Sequence, residues 1–434
     1  MNMKKKIELK NNKYVLSIAF ADYKKAKSGM PKVVLSHQEM FNKKGISYIY
    51  IYALKKTIKS DNSFLFFRFG VIIDGEYSCV LNVKELVRLI DKLKQKSVEC
   101  IGVHIHHLLY MRLKDVFGVV DAMDNLPIYV FLHDYYLCCT NYTLLKNASF
   151  FCGKGGLNTN HCSDCRYYSQ SIKMQSILHK YLAKYGDRIK YVSPSYITSS
   201  IYSDFHPEAE GKVLVIPHQV PVGHNMDNMD IVDENSLLTI GFLGFPAKHK
   251  GWESFYKLSQ RYKGKYRFVI FNSLEKEYDG IEHVNVSVSS QHPNAMTDAL
   301  KEKKVDVSVL WAQTPETYSY TCMEAYAANT FIITCKGSGN IEHFVNKEKN
   351  GLVLNNDNEL FSLFSDEKDV KKLVNEYRKA SLGGPVEWKD NDAVCDLIAD
   401  KKLTESSERV YIEYARQDVL SCVVECIYKA WLNN

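Results

Sequence analysis

The sequence predicts an α/β chain built of two doubly wound, Rossmann-like domains. Three observations carry that prediction. The chain has 434 residues, beyond the roughly 250–300 residues at which a single hydrophobic core stops growing. Strand-like apolar runs alternate with segments of helical periodicity, the pattern of a mostly parallel sheet covered by helices. A polar, acidic, aperiodic stretch at 221–237 divides that alternation into two series. The expected organisation is an N-terminal domain over 1–220, a linker over 221–237, a C-terminal domain over 238–405 and a closing helix over 406–434.

In the first series, residues 14–21 form an apolar, partly β-branched run. It enters the polar loop Ser28-Gly29-Met30-Pro31-Lys32, after which Val33, His37, Met40 and Phe41 fall at helical spacing. This reads as strand, glycine loop and helix. Gly45 punctuates before a second strand at 46–53, rich in Ile and Tyr. Leu86, Leu89, Ile90 and Leu93 mark an amphipathic helix ahead of a strand at 100–106. A strand at 128–132 ends at His133, and short strands at 190–192 and 213–216 are each stopped by a proline, Pro194 or Pro217. The second series places strands at 238–243, 266–271, 305–311 and 331–335. Within 406–431, Ala415, Val419, Cys422, Val423, Cys426 and Ala430 share one helical face and predict one long helix.

Composition narrows the function. Apolar residues make up 46% and charged residues 24%, an ordinary globular balance. The net charge of +6 is spread among acidic residues, without the dense basic stripe of a nucleic-acid binder. A local basic surface facing an anionic membrane stays open, with Lys4, Lys5 and Lys6 and the aromatic, basic stretch 166–190 as its candidates. No run reaches the roughly 18–20 apolar residues of a membrane helix. The basic start and the apolar run at 14–21 mimic a signal peptide, but polar residues 8–13 intervene and no small-residue cleavage site follows. Twelve unevenly spaced cysteines without an export signal suit reduced thiols. The expected location is the cytoplasm, with peripheral contact at the inner face of the membrane.

The densest chemical signal is Pro315-Glu316-Thr317-Tyr318-Ser319-Tyr320-Thr321-Cys322-Met323-Glu324-Ala325, between two strand candidates. Its small and hydroxyl residues, Ser319 and Thr321 with Tyr320 between them, suit a loop entering a helix N-terminus. The free N–H groups there favour a bound phosphate. Glu316 then precedes the helix and can accept hydrogen bonds from a sugar, while Glu324 lies inside it and can take both hydroxyls of a ribose. A capped helix carrying two surface acids is the plain structural alternative.

This stretch resembles the E-x7-E signature of retaining GT-B glycosyltransferases of the family 4 type, the glycosyl transferases group 1. Gly337-Ser338-Gly339-Asn340-Ile341-Glu342 and Asn350-Gly351-Leu352-Val353 resemble the family's glycine-rich loop and its later segment. Ile240-Gly241-Phe242-Leu243-Gly244-Phe245, followed by Lys248, Lys250, Gly251 and Trp252, resembles its diphosphate-binding loop. Lys250 matches the phosphate-binding lysine. Relatives often place an arginine a few residues earlier; this chain has none there, leaving Lys248 as the substitute. His104-Ile105-His106-His107 and His133-Asp134 resemble strand-end histidines of the family. His133 matches the one facing the donor sugar, with His104 and His106 shaping the cleft, and Gly29 resembles the N-terminal glycine loop.

The resemblance implies two Rossmann-like domains facing across a cleft, the C-terminal one holding a nucleotide sugar and a C-terminal helix crossing back. It implies transfer from a UDP-, GDP- or dTDP-sugar to a saccharide or lipid-linked oligosaccharide, with retention and no metal required for catalysis. Bacterial surface polysaccharide, either lipopolysaccharide O-antigen or capsule, is the expected pathway. His133, Glu316 and Lys250 are the implied catalytic set. Gly244, Lys248, Ser319, Tyr320, Thr321, Glu324 and Gly29 join Lys250 in nucleotide-sugar binding.

Two rivals stand beside this reading. A nicotinamide-dependent oxidoreductase would need a G-x-G-x-x-G turn, but Glu342 stands where the third glycine belongs. A non-catalytic sugar-nucleotide-binding or interaction protein on the same scaffold stays open. Separately, Cys139, Cys152, Cys162 and Cys165 can supply a structural zinc site, with His161 as a competing ligand and unligated thiols as the alternative.

Overall fold

The run at 14–21 folds as the strand Lys13–Ala19 near the middle of an eight-stranded sheet. The computed structural model describes residues 3–26, 28–54, 68–123, 125–147, 150–153, 155–157, 159–223, 230–288, 292–380, 383–398, 409–416 and 418–432. Across the first sheet the order is Val213–Val215, Ile189–Ser193, Ile128–Phe131, Glu99–Ile105, Lys13–Ala19, Ser47–Ala53, Phe69–Ile73 and Glu76–Leu81. The first six run parallel, and the last two add an antiparallel edge hairpin. Continuous apolar runs in the parallel strands follow from burial on both faces. Leu16 and Ile18 enter one core with Ile49, Ile51, Val103 and Ile105. Their neighbours Val15 and Ala19 enter another with Tyr48, Tyr50 and Tyr129.

The second sheet has six parallel strands in the order Ile281–Asn285, Arg267–Asn272, Thr239–Leu243, Val307–Leu310, Phe331–Cys335 and Gly351–Leu354. In chain order this is 3-2-1-4-5-6, the arrangement of a dinucleotide fold. The strand order reverses between Thr239–Leu243 and Val307–Leu310, and ligands of such sheets gather at the carboxyl ends of the strands flanking that reversal. The α/β expectation of two doubly wound sheets holds.

Three differences from the sequence reading have physical causes. The edge hairpin Phe69–Ile73 with Glu76–Leu81 was missed although Asp74-Gly75, with φ of 50° and 88°, is its turn; such an Asp-Gly pair is a hairpin signal. The closing segment is not helical throughout. Val410–Arg416 is a strand, paired antiparallel with Met3–Leu9, and only Val419–Leu432 is helix. Residues 410–415 are mostly β-branched or aromatic, and Ile412 is buried beside the equally buried Ile7, so period-two packing prevails there. Finally, Pro221 and Val222 belong to a strand, Gln219–Val222, that pairs with Glu387–Asp390. The return to the first sheet begins ahead of 406: Val394, Cys395 and Ile398 pack in the core of Tyr48 and Tyr50.

Candidate functional site

Thr239–Leu243 delivers the chain to Gly244, whose φ of 92° turns it away from the sheet. A short 3-10 turn, Lys248–Lys250, then meets Gly251, which caps the helix Trp252–Arg261. Gly251 has φ of 80°, and a Cβ there would stand 2.0 Å from Trp311 O. Only glycine fits such a left-handed position packed against backbone. The close approach presses the lysine turn onto the end of the neighbouring strand, across the reversal point of the sheet.

From that turn Lys250 Nζ donates to Glu316 Oε1 at 2.7 Å. The Lys250 side chain is 41% exposed and that of Glu316 14%. The backbone of Glu316 is held by the glycine-rich loop: its N–H donates to Ser338 O at 3.0 Å, and its carbonyl accepts from Asn340 N at 2.9 Å. Gly339, with φ of 71°, permits the approach, since a Cβ would lie 2.6 Å from Glu316 N. Asn340 Nδ2 also donates to Tyr318 O at 2.8 Å, fixing the loop before the helix Tyr320–Ala327. Ser319 caps this helix by accepting from Cys322 N, and its Oγ lies 3.2 Å from Thr321 Oγ1. Gly244 faces the Thr321 methyl. Lysine turn, glutamate loop and glycine loop therefore converge.

Glu324 sits one turn into the helix with its carboxylate 13% exposed. Burial raises its pKa, opposed by Lys32. Lys32 Nζ lies 4.0 Å from Glu324 Oε1 and 4.1 Å from the centre of the Tyr320 ring. Lys32 comes from the helix Gly29–Lys43 of the first sheet, and Gly29 itself faces the Tyr320 ring.

The histidines close the site from the first sheet. His133 Nε2 and His106 Nδ1 share a hydrogen bond of 2.9 Å, and their rings stack with centres 5.2 Å apart. Thr317 Oγ1 donates to the His133 carbonyl at 2.8 Å, and Thr198 Oγ1 donates to Thr317 O at 3.3 Å, so the two sheets touch at the glutamate loop. Burial, then the neighbouring His218, lowers the His133 pKa well below the usual histidine value. At neutral pH it is a neutral hydrogen-bonding ring.

One sequence expectation needs amendment here. His104 lies within the strand Glu99–Ile105, not beyond it, and is fully buried among aromatic rings, so it does not shape the cleft. Lys248 is exposed on the turn while Lys250 points at Glu316. Lys32 and His218 were not singled out as site residues. His218 follows the strand Val213–Val215 and stands 5.4 Å from His133, 4.9 Å from Tyr318 and 6.1 Å from Tyr320, ring centre to ring centre. Its signal was the strand-end histidine pattern that had already marked His133. Lys32 closes the glycine loop but faces Glu324 only through the chain's path. In the segment that follows His133, Cys139, Cys152, Cys162 and Cys165 line one small cavity with His161.

No protein-family model and no curated protein matches the chain in sequence. Solved structures do match in shape. Sucrose-phosphate synthase from Thermosynechococcus elongatus is 12% identical with a TM-score of 0.51, covering 86% of this chain and 95% of its own. A glycosyltransferase from Rickettsia africae ESF-5 is 12% identical with a TM-score of 0.52, over 85% and 92%. Anabaena Alr3699/HepE, in complex with UDP-glucose, is 11% identical with a TM-score of 0.51, over 89% and 98%. The chain has the GT-B fold. In this GT-B frame the lysine turn, paired glutamates and glycine loop belong to the second sheet, and Lys32, His133 and His218 face them from the first. Among the described residues, no helix is long and apolar enough to cross a membrane.

Proposed function

We propose that this protein is a glycosyltransferase that moves a sugar, with retention, from a nucleotide-sugar donor to a saccharide or lipid-linked acceptor of surface polysaccharide synthesis. The observation that carries the reading is the convergence of Lys250, Glu316 and the 337–339 loop at the reversal point of the second sheet, with Glu324 on the adjoining helix. The family resemblance of these same residues supplies the reaction.

In this reading the ribose hydroxyls donate to Glu324, and Lys250 exchanges Glu316 for the donor diphosphate. Glu316, released, accepts from the sugar hydroxyls, and neutral His133 takes a further one. The bond from the anomeric carbon to the diphosphate oxygen breaks with its electron pair on that oxygen. Lys250 and the loop N–H groups balance the charge. The acceptor hydroxyl bonds to the same face of the anomeric carbon and gives its proton to the departing diphosphate. No metal takes part in these steps. A cleft closed over the donor excludes water and suppresses hydrolysis. The protein acts at the inner face of the cytoplasmic membrane, where Lys6 and the helix Tyr168–Tyr185 are candidates for peripheral contact.

The test is nucleotide release from UDP-, GDP- and dTDP-sugars with lipid-linked acceptor extracts, starting from UDP-glucose, the ligand of HepE. Acceptor-dependent release that falls at least a hundredfold in both Lys250→Ala and Glu324→Ala is the expected result. Nucleotide binding without turnover by a folded protein, with acceptors supplied, moves the function to a non-catalytic sugar-nucleotide-binding protein.

A further inference from the structure

Between His133 and the helix Tyr168–Tyr185, the chain gathers thiols from three separate places. Cys139 sits in the loop after Ile128–Phe131, its Sγ 3.2 Å from Ser171 Oγ. Cys152 follows the two-residue strand Phe150–Phe151, and its N–H donates to Leu144 O at 2.8 Å. Cys162 and Cys165 bracket a turn closed by Cys165 N–H donating to Cys162 O at 2.9 Å. All four are free thiols and line one cavity of about 20 Å³ with His161 and Lys146. Cys138, next to Cys139 in sequence, is buried yet absent from that lining.

The segment that carries them has little regular structure to hold it. It contains two strands of two residues and a helix of four. Leu144, Asn147, Gly153, Gly155 and Gly156 all have positive φ. Convergence of four thiols on an irregular loop calls for a crosslink, and two of them form the C-x-x-C pair of metal-binding turns.

We propose that Cys139, Cys152, Cys162 and Cys165 bind one Zn²⁺ that staples the 138–165 segment beside the cleft. Binding forms four Zn–S bonds and releases four thiol protons to solvent, with no change of oxidation state. Zinc–sulfur bonds of about 2.3 Å in a tetrahedron place the sulfurs about 3.8 Å apart. Among the described residues no three of these sulfurs lie within 4.8 Å of one another, so the thiols swing inward from the cavity wall on binding. The tetrathiolate site carries net negative charge. Lys146 lies at the cavity, its Nζ donating to Asp164 Oδ1 and to His161 O, both at 2.7 Å. The segment starts five residues after His133 in the sequence, whose carbonyl receives Thr317, so the staple steadies the wall of the site without entering the reaction.

The test measures metal and is independent of glycosyl transfer. Full-length protein, purified without chelator and shown folded by circular dichroism, is analysed by plasma mass spectrometry. The expected content is about one zinc per chain, falling at least tenfold in Cys162→Ser/Cys165→Ser and unchanged in Cys138→Ser. Cobalt substitution gives the thiolate-to-metal absorption of a tetrahedral site in wild type and not in the double variant. Should the double variant not fold, stripped wild type titrated with Zn²⁺ alone is probed by alkylation. Zinc then protects the four cysteines and leaves the exposed Cys426 reactive. A folded wild type that holds and takes up no zinc overturns the proposal, as does a disulfide among the four. Zinc kept by the double variant but lost in His104→Ala overturns it too, and moves the metal to His37, His104 and His106, whose ligand atoms lie within 4.8 Å of one another.

Discussion

Lys250 and Glu316 hold each other at 2.7 Å, so a donor diphosphate competes with an internal carboxylate for the ammonium. Partly exposed pairs of this kind are worth about 0.2–1 kcal/mol. Glu316→Gln should therefore tighten binding of the product nucleoside diphosphate about two- to fivefold in a calorimetric titration, while turnover falls. Weaker product binding in that variant would remove the proposed competition. His104 tests a different kind of residue. Neither of its ring nitrogens has a hydrogen-bond partner, and its surroundings are His37, His106, Tyr48, Tyr129, Phe41 and Phe131. Burial pushes its pKa down to about 3, from the ordinary histidine value of about 6.5. Between those values the unfolded chain binds a proton that the folded chain refuses, so this contribution to stability is complete above about 6.5 and lost as pH falls. His37, His106, His133 and His218 shift in the same direction. The melting temperature should fall between pH 7 and pH 5. His104→Leu, of similar volume and without the unpaired nitrogens, should flatten that fall and cost nothing at pH 8. An unchanged pH profile in His104→Leu would contradict the assignment.

At the scale of elements, the two loops that build the site depend on glycine to different degrees. Gly251 combines φ of 80° with backbone 2.0 Å from a would-be Cβ, whereas Gly337, at φ of 88°, faces open space. Gly251→Ala should cost more than about 2 kcal/mol and Gly337→Ala about 1 kcal/mol in urea unfolding. Equal losses would mean that the contact with Trp311 carries no weight. The helix Val83–Gln95 opens with a capping box in which Asn82 and Glu85 satisfy one another's backbone donors. Asn82 Nδ2 also donates to Asp418 Oδ2 at 2.8 Å. Asn82→Ala should exceed the roughly 1 kcal/mol of an ordinary cap, with the excess vanishing in an Asp418→Ala background. These elements were legible because their signals are local. The apolar spacing of Leu86, Leu89, Ile90 and Leu93 marks the helix, and the run at 331–335 matches its strand residue for residue. The glutamate and lysine loops were legible for a related reason, since their glycines and hydroxyls describe a turn that each segment makes by itself.

Across the whole molecule, the last segment binds the first sheet. Val410–Arg416 pairs with Met3–Leu9 along its full length. Arg68 reaches Asp418 at 2.6 Å, Tyr428 OH donates to Asp22 Oδ2 at 2.7 Å, and Val80 N donates to Glu425 Oε2 at 3.2 Å. A chain ending at residue 409 leaves Met3–Leu9 without that partner strand and uncovers Ile7. It should show a lowered melting temperature and loss of monomer by light scattering, and a truncated chain as stable as wild type would assign this ribbon no structural weight. The amino-acid sequence by itself determined the two alternating series, the lysine turn and the paired glutamates. Each of those rests on periodicity or chemistry within a short stretch. Only the tertiary structure decided that a polar N-terminal segment is a strand, that residues 410–416 are extended and not helical, and that Lys32 faces Glu324. The reason is physical: a ribbon strand is defined by backbone partners supplied from the far end of the chain, and an ion pair between sheets by the path that brings them together. Neither leaves a periodic trace in the residues that take part.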